Sequence, residues 1–105
     1  MNAKKSEFFY NDTIEEIAED LRILGHPQRL KILDALKTLG ELNVSEIMRR
    51  TKLPQTTVSQ HLAKMKSTNL VISRRESRKV VYWISTEIAA VVADCIKRKI
   101  EGTGA

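Results

Sequence analysis

At 105 residues the chain has the size of one domain, because a single hydrophobic core suffices at that length and a second would be starved of residues. Its composition, 42% hydrophobic and 30% charged, is that of a soluble globular protein, and no apolar run approaches the roughly 18 residues a membrane span needs. The net charge of +5 is unevenly placed: residues 1–46 carry −3, residues 47–83 carry +8 with Glu76 as their only carboxylate, and residues 84–105 balance, a distribution that points to a polyanionic partner.

Asp12 and Glu15 stand at capping-box spacing, and Ile14, Ile17, Ala18, Leu21 and Leu24 follow at helical intervals. This predicts a first helix over about 13–24, preceded by an N-terminal arm, 1–12. Gly25-His26-Pro27 closes that helix and opens a second, with Pro27 at its first position, a buried stripe of Leu30, Leu33 and Leu36, and an end at Gly40. Asn43 with Glu46 caps a short third helix reaching about Lys52. Leu53-Pro54 breaks it, and Val58, Leu62 and Met65, spaced i, i+4, i+7, define a fourth helix over 56–67 that ends near Asn69. "LVISRRESRKVVYWIS" is rich in β-formers around the polar turn Glu76-Ser77-Arg78 and predicts a two-stranded hairpin. A last helix follows over 86–100, where Ile88, Val91, Val92, Cys95, Ile96 and Ile100 with three alanines cover more of the circumference than one packed face can use. "EGTGA" reads as a frayed tail. The expected fold is a single domain, mainly α with a two-stranded β-wing: five helices, with the hairpin between the fourth and the fifth.

Two short helices joined by a tight turn and followed by a basic hairpin make the winged helix-turn-helix plan. Opposite the apolar stripe of the fourth helix stand Thr56, Gln60, Ala63 and Ser67, flanked by Ser59 and Lys64. Short hydrogen-bonding side chains of this kind suit the major groove: glutamine can bond adenine N6 and N7 together, serine and threonine can donate or accept, and alanine permits close approach. An ordinary solvated face mixes glutamate with lysine, whereas this chain has no acid between Glu46 and Glu76. Arg74, Arg75, Arg78 and Lys79 crowd the hairpin, where like charges cost stability unless phosphates neutralise them. Protection of an edge hairpin from aggregation is the alternative use of that charge. Tyr82 and Trp83 point to opposite faces, so only one can serve the core.

"LGHPQRLKILDAL", "LPQTTVSQHLAKM" and "NLVISRRESRKVVYWIS", in this order, resemble the ArsR/SmtB family of winged-helix transcriptional repressors over about residues 13–100. The single cysteine fits a reducing cytoplasm, and the resemblance implies a homodimer built from the first and last helices, through Ile14, Ile17, Leu21, Ile88, Val91, Val92, Cys95 and Ile96, with 86–100 as the dimerisation helix. It also implies double-stranded DNA as partner, at a palindromic operator. By family position the base contacts fall on Gln55, Thr56, Ser59 and Gln60, and by their charge Lys64, Arg74, Arg75, Arg78 and Lys79 are expected as backbone or wing contacts. Ser77 replaces the glycine common at the wing tip. In such a dimer Phe8-Phe9-Tyr10, three of the chain's five aromatics, would pack from the arm onto the partner's last helix, or frame a small-molecule pocket there.

Family members that release DNA on binding metal use cysteines at the positions of Asn43 and Ser45, or a carboxylate and histidines at positions matching Thr86, Ile88 and Lys99. None of these residues suits zinc, so no metal sensor and no cofactor are expected. His26 and His61 are expected to cap and to pack. Cys95 is the single cysteine, which excludes an internal disulfide, and is the one group left for a redox response; on an apolar stripe it would be buried and unreactive. Without a nucleophile, base and oxyanion set, an enzyme is not expected. A winged helix that binds proteins is the competing reading.

Overall fold

The computed structural model describes residues 3–103, with side chains from 10 to 102. In chain order the elements are α1 (Ala3–Leu24), α2 (Pro27–Leu39), β1 (Leu42–Asn43), α3 (Val44–Thr51), α4 (Gln55–Lys66), β2 (Val71–Glu76), β3 (Lys79–Ile84) and α5 (Glu87–Thr103).

Local chemistry sets most of the boundaries. Gly25 leaves α1 by donating its N–H to Leu21 O at 2.9 Å, and His26 caps α2 by accepting the Gln28 N–H on Nδ1. Gly40 closes α2 at φ 85°, a left-handed conformation that favours glycine. The α3 capping box is complete: the Glu46 N–H donates to Asn43 Oδ1 and the Asn43 N–H to Glu46 Oε1, both at 3.0 Å. Asn43→Ala should therefore cost about 1 kcal/mol of stability, read as a lowered urea midpoint at fixed protein concentration. Lys52 and Asn69, at φ 63° and 61°, turn the chain after α3 and α4.

The core collects the inner faces of α2, α3 and α4 under the sheet and α5. Ile32, Leu33, Ala35 and Leu36 are all buried, a wider face than the expected stripe of Leu30, Leu33 and Leu36, because α2 packs against α3, α4, α5 and β3 at once. Leu30 itself is half-buried. Val58, Leu62 and Met65 of α4 are buried as the spacing predicts. On α5 the small residues Ala89 and Ala93 are fully buried and allow close approach to α2.

Two expectations are corrected. Residues 3–12, expected as an arm, continue α1 toward the N-terminus, since neither glycine nor proline interrupts them; the Phe8 and Phe9 side chains lie outside the described residues, and Tyr10 is exposed. At the other end α5 runs on through Thr103 rather than fraying at Glu101. The expected two-stranded hairpin forms from β2 and β3, and outside it β1 pairs antiparallel with β3 at Leu42↔Tyr82 and Asn43↔Val81, giving the sheet order β1-β3-β2.

Candidate nucleic-acid interface

α3 and α4 form the helix-turn-helix, and α4 passes through residues 67–70 directly into β2, so the candidate reading helix and the wing are consecutive. Gln55, Thr56, Ser59, Gln60, Ala63 and Lys64 are all exposed. Among the described residues the side chains of Gln55, Thr56, Ser59 and Gln60 make no hydrogen bond, so their donors and acceptors stay available. Pro54 precedes α4 without a side-chain cap, which leaves the first-turn N–H groups without a capping acceptor at the positive end of the helix dipole.

The wing divides its charges. Arg75, Arg78 and Lys79 are exposed and form no ion pair among the described residues. Arg74, expected with them, is held at the base of the wing. Its guanidinium donates to both oxygens of Glu41, at 3.1 and 2.6 Å, and to Glu76, and lies 5.1 Å over the Trp83 ring. These hydrogen bonds draw the Glu41 carboxyl below its ordinary pKa and push Arg74 up. Glu41 carries no sequence signal for this site, because a contact between residues 33 positions apart leaves no local pattern. Tyr82 packs on the core and Trp83 on the opposite face, as alternation requires. At the tip Ser77 has φ 60°, the only positive φ of the two-residue turn. That matches a type II′ hairpin turn and explains why glycine is the usual residue there.

Away from the wing, α1 and α5 present an apolar surface. Ile14, Ile17, Leu21, Val91 and Ile100 are 37–56% exposed, and Cys95 is exposed beside them. Cys95 is thus not the buried thiol its apolar neighbours suggested. Ile88, Val92 and Ile96 are half-buried and pack against the chain's own core. The acidic side chains of α1, Glu15, Glu16, Glu19 and Asp20 among them, line a concavity with Thr68, Asn69 and Thr86.

At the positions where metal-sensing members of the family carry ligands this chain has Asn43, Ser45, Thr86, Ile88 and Lys99. Asn43 Oδ1 is engaged in the α3 cap, Thr86 Oγ1 accepts the Ala89 N–H at 3.3 Å, and Ile88 packs on the core. No group of three or more histidine, cysteine or carboxylate residues able to hold a metal occurs among the described residues. His61 is engaged on both ring nitrogens, by Arg29 Nε–H at 3.1 Å and by Gln28 Oε1 at 2.8 Å, and its ring lies 4.6 Å from that of His26. No helix of the described residues is long and apolar enough to cross a membrane.

A helix-turn-helix with an acid-free outer face, continued into a basic hairpin, is the winged helix-turn-helix plan. Residues 26–73 match the family described as "Bacterial regulatory protein, arsR family". The transcriptional repressor PagR of Bacillus anthracis is 42% identical over 73 residues, covering 70% of this chain and 73% of PagR. The crystal structure of PagR superposes with a TM-score of 0.76 at 35% identity, over 82% of this chain and 98% of that one. A homodimeric winged helix-turn-helix DNA-binding domain from Mycobacterium bovis gives 0.72 at 29% identity, over 96% and 88%. The chain belongs to the ArsR family.

Proposed function

We propose that the protein is a cytoplasmic homodimeric repressor that binds a palindromic operator and carries no metal sensor. The observation that carries this reading is the outer face of α4, where four unpartnered polar side chains stand on a helix whose other face is locked in the core. Gln55, Thr56, Ser59 and Gln60 read base edges in the major groove. The uncapped first turn of α4, with Lys64, Arg75, Arg78 and Lys79, takes backbone phosphates, while Arg74 braces the wing against Glu41. The exposed apolar residues of α1 and α5 pair two protomers, with Cys95 on the covered face. PagR is a repressor and the M. bovis domain is homodimeric and DNA-binding, which supports the same assignment.

Salt dependence separates this from a protein-binding winged helix. With six or more phosphates neutralised per dimer, affinity for duplex DNA should fall on the order of a thousandfold between about 50 and 200 mM salt. A nearly flat response would refute the reading. Arg75→Ala should weaken binding similarly on every sequence and reduce the logarithmic salt slope by about 1 for each phosphate it no longer neutralises.

A further inference from the structure

Among the described residues one junction of side-chain hydrogen bonds ties the reading helix to the helices before it. Arg29 of α2 reaches in two directions: its Nε–H donates to His61 Nδ1 at 3.1 Å, and an Nη1–H donates to Ile23 O at the end of α1 at 2.7 Å. Gln28, the residue before it in α2, meets His61 Nε2 with its Oε1 at 2.8 Å, and its own backbone N–H is bound by His26. One half-buried imidazole on α4 is thereby joined to both α1 and α2.

The protonation state follows from the partners. Arginine only donates, so Nδ1 of His61 must carry a lone pair; Gln28 Oε1 only accepts, so Nε2 must carry the hydrogen. The ring is therefore neutral and in a single tautomer. A proton added at Nδ1 would remove the acceptor for Arg29 and set two cations against each other.

We infer that His61 is a positioning residue for the DNA-reading helix, and that uptake of a proton by its ring unlatches α4 from Arg29 and weakens operator binding. The inference rests on α4 being the helix that reads DNA. The charged or titratable groups acting on His61 are Arg29 from α2 and His26 from the α1–α2 turn; among the described residues no carboxylate, and no charged group of α1 or α3, does so. Burial first, then His26 and Arg29, pull its pKa below the ordinary value near 6.5. Operator affinity should thus be level above about pH 6.5 and decline below it.

The sign of this response sets it apart. Ordinary electrostatics makes DNA binding tighter as histidines gain charge, whereas the latch makes specific binding weaker. Wild type should bind its operator about tenfold more weakly near pH 5.5 than near pH 7.5, with unchanged helical circular dichroism. His61→Gln, which keeps one donor and one acceptor, should bind normally near pH 7.5 and lose the decline. His26→Asn, which keeps a cap for α2, should retain it. If a substitution impairs folding, calorimetry of the wild type near pH 6 in two buffers of different ionisation enthalpy gives the same answer: binding must release protons. Net proton uptake, an affinity that holds or rises as pH falls, or a decline that survives in His61→Gln would overturn the inference. Failure of the α4 reading itself would appear separately, as wild type with no sequence preference near pH 7.5.

Discussion

Val91→Asp is expected to leave the fold intact, convert the protein to a monomer and lower operator affinity by roughly 10²–10⁴-fold. Val91 is 53% exposed on the outward side of α5, turned away from Ala89 and Ala93, which pack on α2. A carboxylate there meets water in the monomer and costs the isolated protomer little. In a symmetric interface the same substitution buries two unpaired like charges against Ile14, Ile17 and Leu21 or their counterparts, which association cannot offset. Affinity falls because the second half-site no longer benefits from tethering to the first. Sedimentation gives the mass and anisotropy titration gives the affinity; a variant that stays dimeric with unchanged operator binding would move the interface elsewhere on the molecule.

Gln60→Ala should cost about 1–3 kcal/mol in each half-site, hence roughly 2–6 kcal/mol for the dimer, and should relax the preference at one base pair per half-site. Gln60 is exposed and makes no hydrogen bond among the described residues, so its removal should leave the melting temperature within a degree or two. That separates it from Leu62→Ala, two positions on, which would empty part of the core. Set beside Arg75→Ala, the expected patterns are opposite: one loses discrimination between sequences, the other loses affinity for all of them. Equal losses from Gln60→Ala on operator and random duplex would remove it from base reading.

Much of this arrangement is legible from the chain because its signals are local. The Asn43 and Glu46 cap, the proline before α4 and the spacing of Val58, Leu62 and Met65 each lie within one or two helical turns, and the structure satisfies all of them. Signals that depend on distant partners are not legible. Asp12 has the chemistry of a cap but sits inside α1, because a helix stops only where something breaks it. Two residues are too few to show a strand's period, so β1 exists only through its pairing with β3. Arg74 looks like its basic neighbours until Glu41 closes on it from the α2–β1 connection. The apolar surplus of α5 indicates a second buried face without showing which residues belong to it. Close packing of Ala89 and Ala93 on α2 fixes the inner side and turns Cys95 outward.

The junction at His61 illustrates the same division. Capping by His26 and a packed position for His61 follow from sequence, whereas the bridge from Arg29 to both His61 and Ile23 O requires the fold to bring α1, α2 and α4 together. That bridge ties α4 to both α1 and α2.

Reading of a defined sequence by the outer face of α4, repeated about a two-fold axis, is tested most directly by selecting bound duplexes from a random pool, with wild type and Gln60→Ala run in parallel. The expected result is a palindrome whose half-sites are centred about one helical turn, or a multiple of it, apart, with one position per half-site losing its preference in Gln60→Ala. A pool that emerges without enrichment, or one enriched for the same site with the same stringency by both proteins, would contradict it.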